Sequence, residues 1–222
     1  MPEILPGIHQ VEGVDPSPEF STHVYLVKDS GPTWTLIDSG LPGSETAIAA
    51  YLRGHSIGPG SVAKILLTHC HRDHVGALAA VAKLTKARTY AHWLEAAYIA
   101  CDPPYDGPGT PPAEPFHVAE TFKDGDRIDA AGGLVAYHTP GHTPGHTAYY
   151  HPERKLLFSG DLFFGHGEEM ILTTKEYTHH LPSAIVSARR VAELPVESVL
   201  TYHGGPFPRG GGAKLKALVG PL

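Results

Sequence analysis

Six consecutive residues, His69-Cys70-His71-Arg72-Asp73-His74, constrain this chain more than any other feature. Four of the six are His or Asp, both metal-ligand types, and the string follows an apolar run, Ala63 to Thr68, that reads as a buried strand. A strand that ends in H-x-H-x-D-H sends imidazoles and a carboxylate out of one loop at the edge of a sheet. Imidazole nitrogen and carboxylate oxygen suit a borderline cation: zinc, iron or manganese. Four such groups packed this closely would repel when charged, so a histidine-rich polar loop without a purpose is a poor account of them.

The string has company downstream. Thr139-Pro140-Gly141-His142-Thr143-Pro144-Gly145-His146 follows the apolar segment Leu134 to Tyr137, Ser159-Gly160-Asp161 follows Leu156 to Phe158, and His203-Gly204 follows Val196 to Tyr202. Four candidate strands therefore deliver His or Asp at their C-terminal ends. Upstream, Thr35-Leu36-Ile37-Asp38-Ser39-Gly40 repeats the pattern of strand, Asp and small-residue turn. In this order the motifs resemble the metallo-β-lactamase-fold hydrolases, on the glyoxalase II-like and lactonase-like side of that superfamily. The likeness runs from Asp38 to His203.

That resemblance implies an α/β fold, the αββα four-layer sandwich, as a single domain over residues 1–222. It implies that His69, His71 and His142 hold one metal, that Asp73, His74 and His203 hold another, and that Asp161 bridges them. The ions would be two divalent metals, zinc by default, with iron or manganese as alternatives. Lying about 3.5–4 Å apart, they would clamp a bridging hydroxide that attacks a thioester or lactone carbonyl. Asp73 would also orient that nucleophile, a catalytic role besides ligation. The alternative on the same fold is a mononuclear iron persulfide dioxygenase, which usually lacks some second-site ligands. The segment after Asp161, Leu162-Phe163-Phe164-Gly165-His166-Gly167, departs from the glycine- and cysteine-containing one of glyoxalase II, so an acylhomoserine-type lactone or a generic thioester fits as well as a glutathione thioester. Leu162, Phe163 and Phe164 would suit an acyl chain.

Composition excludes several other classes. The net charge is -6 and no Lys/Arg run appears, which argues against a nucleic-acid groove. No apolar stretch approaches the roughly 18 residues of a membrane span, and the N-terminus carries no basic-plus-apolar leader. Two cysteines, Cys70 and Cys101, cannot build a disulfide framework. The expectation is a cytoplasmic protein acting on a small-molecule substrate, without nucleic-acid or membrane partners; a homodimer stays open.

Between the motifs, residues 4–40 read as a strand meander broken at Asp15-Pro16-Ser17-Pro18 and Ser30-Gly31-Pro32. Ser44 is expected to cap a helix ending at Gly54, and Val75 to Lys86 to form one Ala-rich helix. Further helices are expected over His92 to Ala100 and Pro182 to Glu193. Residues 101–116, with six prolines and two glycines, cannot form regular structure and read equally as a pocket wall with Tyr105 and Phe116 as apolar contacts, a loop stiffened for stability, or a dimer contact. Asp38 is expected to orient a ligand imidazole, His146 to sit beside the metals, and Cys70 to be a buried spacer. His166, Tyr177, His179 and His180 lie where the resemblance puts the substrate pocket, with surface placement the simpler expectation and a tyrosine hydroxyl near the metals the sharper one.

Overall fold

Strands that are apolar on both faces decide the architecture. Along β3 (His23–Lys28), Val24 and Leu26 join one buried cluster while Tyr25 and Val27 join another. A strand covered on both sides must lie inside a stack of layers. The computed structural model, which describes residues 3–12 and 21–220, builds that stack.

A seven-stranded sheet runs in chain order: β1 (Glu3–Leu5), β2 (Ile8–Glu12), β3, β4 (Trp34–Ile37), β5 (Val62–Leu66), β6 (Arg88–His92) and β7 (Glu120–Phe122). The first four strands pair antiparallel, as a meander. From β4 onward pairing is parallel, which demands crossover connections. These carry α1 (Ser44–Gly54), then α2 (Arg72–Val75) with α3 (Leu78–Thr85), then α4 (Trp93–Ile99). Ile48 and Leu52 of α1, Leu78 and Val81 of α3, and Ile99 of α4 cover Val24, Leu26, Leu36 and Ile65.

The second sheet has the order β14-β11-β10-β9-β8, built from β8 (Arg127–Ile128), β9 (Leu134–His138), β10 (Thr147–His151), β11 (Leu156–Gly160) and β14 (Ser198–Thr201). Tyr25, Val27, Ile37 and Leu66 meet Leu134, Tyr149, Phe158 and Leu200 between the two sheets. On the outer face, Ala184, Ala188 and Val191 of α5 (Leu181–Ala192) and Leu215 of α6 (Gly211–Val219) pack on Ala148, Leu157 and Val199. The order helix, sheet, sheet, helix is the expected αββα sandwich. Among the described residues no helix is long and apolar enough to cross a membrane.

Local departures have physical reasons. Gly43, at φ 100°, occupies the cap of α1, and Ser44 is its first helical residue. The helix expected over Val75 to Lys86 is two pieces. The His74 carbonyl, which a continuous helix would offer to residue 78, instead accepts from Ser39 N at 2.8 Å and Ser39 Oγ at 2.7 Å. A small hairpin, β12 (Phe163–His166) with β13 (Glu169–Leu172), and the helix α6 were not foreseen. The turn expected at Asp15-Pro16-Ser17-Pro18 lies outside the described residues.

Candidate metal centre

Every motif residue stands just past the C-terminal end of a strand: Asp38 after β4, His69 and His71 after β5, His142 after β9, Asp161 after β11 and His203 after β14. Asp73 and His74 sit on α2, which continues directly from the His71 loop. The strand ends converge, and the side chains collect in two groups. One is His69, His71 and His142; the other is Asp73, His74, Asp161 and His203. Within each group one donor atom per residue lies within 4.8 Å of all the others.

In the first group, His69 Nε2 and His142 Nε2 stand 3.1 and 3.0 Å from His71 Nδ1. The outward nitrogens are anchored: His69 Nδ1 is 3.1 Å from Thr68 Oγ1, and His142 Nδ1 is 3.2 Å from Thr173 Oγ1. Burial drives all three imidazoles toward the neutral form. His69 and His142 lie well below the ordinary histidine range, and His71 is lowered to about 4.

The second group is rich in carboxylate. His74 Nδ1 is 2.9 Å from Asp38 Oδ2, while His74 Nε2 faces Asp161 Oδ1 at 3.2 Å and Asp73 Oδ2 at 3.5 Å. His203 Nε2 is 3.0 Å from Asp73 Oδ2 and 3.4 Å from Asp161 Oδ2. Burial resists protonation of His203, but Asp161 and Asp73 override it and push the imidazole up to about 10. Burial likewise opposes ionisation of Asp73, yet His74 and His203 hold its carboxyl at about 2. Asp161 Oδ2 also lies 3.5 Å from His142 Nε2, so one carboxylate touches both groups.

This donor set fits divalent cations. Neutral, buried imidazole nitrogens face one another at about 3 Å while the outer nitrogens of His69 and His142 are held by threonine hydroxyls, an arrangement that is unfavourable unless a proton or a cation sits among them. Three neutral nitrogens on one side, and two carboxylates with two imidazoles on the other, are ligand sets that zinc, iron or manganese accept.

The neighbours separate cleanly. Asp38, at φ 62°, accepts from Thr68 N and Thr68 Oγ1, both at 2.8 Å, and from His74, as an orienting residue should. His146 stays out of both groups: its Nδ1 meets Thr139 Oγ1 at 2.9 Å, and its Nε2 accepts from Asp161 N at 3.1 Å. Cys70 is buried among the helix-side apolar residues, and Arg72 is exposed at the start of α2. Tyr177 is 40 % exposed on a single 3-10 turn, and no hydrogen bond joins its hydroxyl to the donors among the described residues. His166 is exposed at the hairpin end. His179 N donates to the His142 carbonyl at 3.1 Å, and His180 N to the Gly141 carbonyl at 2.9 Å; the His180 ring caps α5 by accepting from Ser183 N.

The 101–116 loop has no helix or strand and lies against the first group. Tyr105 packs edge-on to His71 at 5.2 Å between ring centroids, and the Thr110 carbonyl accepts from Arg72 N. Gly109 sits at φ 92° so close to His71 that a Cβ would stand 2.5 Å from the ring. Phe116 turns instead toward the helix-side core. Phe164 is half-buried with its ring 5.5 Å from His203 and 6.4 Å from His142, whereas Leu162 and Phe163 are buried in the outer core. The sequence reading missed Glu95 and Thr173, which brace the His142 loop from distant positions; Thr68 and Tyr202, adjacent to His69 and His203, carried a local signal.

The family model described as the Metallo-beta-lactamase superfamily matches residues 17–203. The chain is 32% identical over 190 residues to the hydroxyacylglutathione hydrolase of Pseudomonas aeruginosa, a match covering 83% of this chain and 62% of that protein. It is 30% identical over 181 residues to Thioesterase pkgB of Emericella nidulans, covering 79% of this chain and 43% of that one. It thus spans less than two thirds of either relative. A metallo-beta-lactamase family protein of Thermus thermophilus superposes with a TM-score of 0.73 at 25% identity, over 96% of this chain and 79% of that chain.

Proposed function

The chain belongs to the metallo-beta-lactamase superfamily, and from that premise we propose that it is a metal-dependent hydrolase that cleaves a thioester or lactone carbonyl. His69, His71 and His142 would hold one divalent ion, Asp73, His74 and His203 a second, and Asp161 both. The observation that carries this reading is the Asp161 carboxylate, 3.4 Å from His203 Nε2 and 3.5 Å from His142 Nε2, touching two complete donor groups at once. The relatives named hydroxyacylglutathione hydrolase and Thioesterase pkgB support the thioester half of the proposal.

Bound there, divalent cations would lower the pKa of a water molecule toward neutrality and polarise the carbonyl under attack. The protein's own groups do the rest. Asp73 is less buried than the other donors, and its Oδ2, anchored by His203, can accept a hydrogen bond from the attacking water and orient it. Thr68, Thr173 and Asp38 hold the outward imidazole nitrogens, so the inward lone pairs are fixed before substrate arrives. The Phe164 ring beside His203 and His142 gives the substrate's carbon chain an apolar wall and keeps bulk water off that side.

A mononuclear iron persulfide dioxygenase is the competing reading, and the second donor group argues against it. Elemental analysis of protein purified without added metal separates the two. Two equivalents per chain, with turnover of acyl thioesters or lactones, is the expected result; one equivalent of iron with oxygen uptake on a persulfide would overturn the proposal.

A further inference from the structure

Glu95 lies in the first turn of α4, fully buried, with no cation beside it in any ion pair among the described residues. A carboxylate in that position needs compensation. It comes from the His142 loop: Thr143 Oγ1 and Gly145 N both donate to Glu95 Oε1, at 2.6 and 2.7 Å. The same loop is pressed onto the helix. A Cβ on Gly145 would stand 2.8 Å from Leu94 Cβ and 2.9 Å from Glu95 Cγ, so only glycine permits this approach.

The repeated Thr-Pro-Gly-His then acquires a physical meaning. Gly141, the glycine of the first copy, packs on α5, where a Cβ would meet Ala184 N at 2.3 Å; Gly145, the glycine of the second copy, packs on α4. His142 stands between these two anchor points.

We propose that Glu95 is the positioning residue of the His69-His71-His142 group, clamping the His142 loop through Thr143 and Gly145. This rests on the metal-site reading above, but it makes a separate claim: Glu95 sets the affinity of one group and not of the other. A merely structural glutamate would lower overall stability and leave the two groups equally affected.

The test is chelator competition on the zinc-loaded full chain, following release of each metal equivalent. His71→Ala marks which release step belongs to the three-histidine group. Glu95→Ala should release that equivalent at roughly 10- to 100-fold lower chelator concentration, the usual effect of losing an outer support of a ligand, and the other equivalent at the wild-type concentration. Glu95→Gln keeps an acceptor for Thr143 and Gly145 and should restore most of the wild-type retention. Equal shifts of both equivalents, or none, in folded Glu95→Ala would overturn the inference. Should that variant fail to fold, Thr143→Val removes one clamp bond at nearly constant size; the same selective shift, smaller, is expected, and unchanged release would overturn the proposal. Wild-type protein that takes up no zinc would instead defeat the metal reading, and the inference with it.

Discussion

The Tyr149 hydroxyl, on β10, reaches across the interior to donate a 2.5 Å hydrogen bond to the Leu67 carbonyl of the facing sheet, two residues before His69. Tyr25 makes the reciprocal crossing to the Thr201 carbonyl at 2.5 Å, two residues before His203, and the Tyr202 hydroxyl donates to the Asp73 carbonyl. Tyrosines of both sheets thus peg the backbone from which the donors project. Tyr149→Phe keeps the ring in the core and removes only the bond. It should cost about 1–3 kcal/mol, because the Leu67 carbonyl is left buried with one partner fewer. Urea denaturation reads the loss; an unchanged midpoint would show that the carbonyl has another partner.

His146 offers a sharper separation of support from ligation. Its Nε2 accepts from the Asp161 amide, and His146 belongs to neither donor group. His146→Ala should therefore retain both metal equivalents and lose about 1–3 kcal/mol of stability through the unpaired Asp161 amide. Elemental analysis and thermal melting together decide it. Loss of one equivalent would make His146 a ligand.

What could be read from the chain alone follows from how the site is built. His69 to His74 form one string, and Asp38, His142, Asp161 and His203 each follow an apolar run, so strand and candidate donor are written side by side. Glu95 has no such label. On a helix a glutamate ordinarily faces solvent, and its partners Thr143 and Gly145 lie 48 and 50 residues away. The break between α2 and α3 was hidden for the same reason, since only the distant Ser39 diverts the His74 carbonyl. Gly210-Gly211-Gly212 reads as a turn by propensity, although α6 begins there because tertiary packing prevails.

Asp124 accepts from both terminal nitrogens of Arg190, each at 2.9 Å, and from His138 N at 2.9 Å. Its slight burial raises the carboxyl, but Arg190 and the His138 amide outweigh that and hold it below the usual range. A depressed carboxyl contributes stability that is present above the unfolded pKa of about 3.9 and lost as pH falls through the folded value. Both side chains are over 40 % exposed, at 42 and 43 %, so screening limits the contribution to about 1 kcal/mol or less. Asp124→Asn should be slightly less stable than wild type at pH 7, with the gap closing below about pH 4. A gap independent of pH would assign the effect to shape rather than charge.

Phe164 gives the proposed hydrolase its most direct specificity test. Neighbouring Leu162 and Phe163 are buried in the outer core and are not free to meet a substrate. Phe164 alone of the three is half-buried with its ring against His203 and His142. Phe164→Ala leaves all seven donors in place, so metal content should not change. The lost apolar contact is worth about 1–3 kcal/mol, which corresponds to a fall of roughly 5- to 150-fold in kcat/KM for long-chain acyl thioesters or lactones. Short-chain substrates that never reach the ring should lose much less, and Phe164→Leu should recover part of the difference. Steady-state kinetics across a chain-length series reads the contrast: an equal loss at every length would place the chain elsewhere and reduce Phe164 to packing.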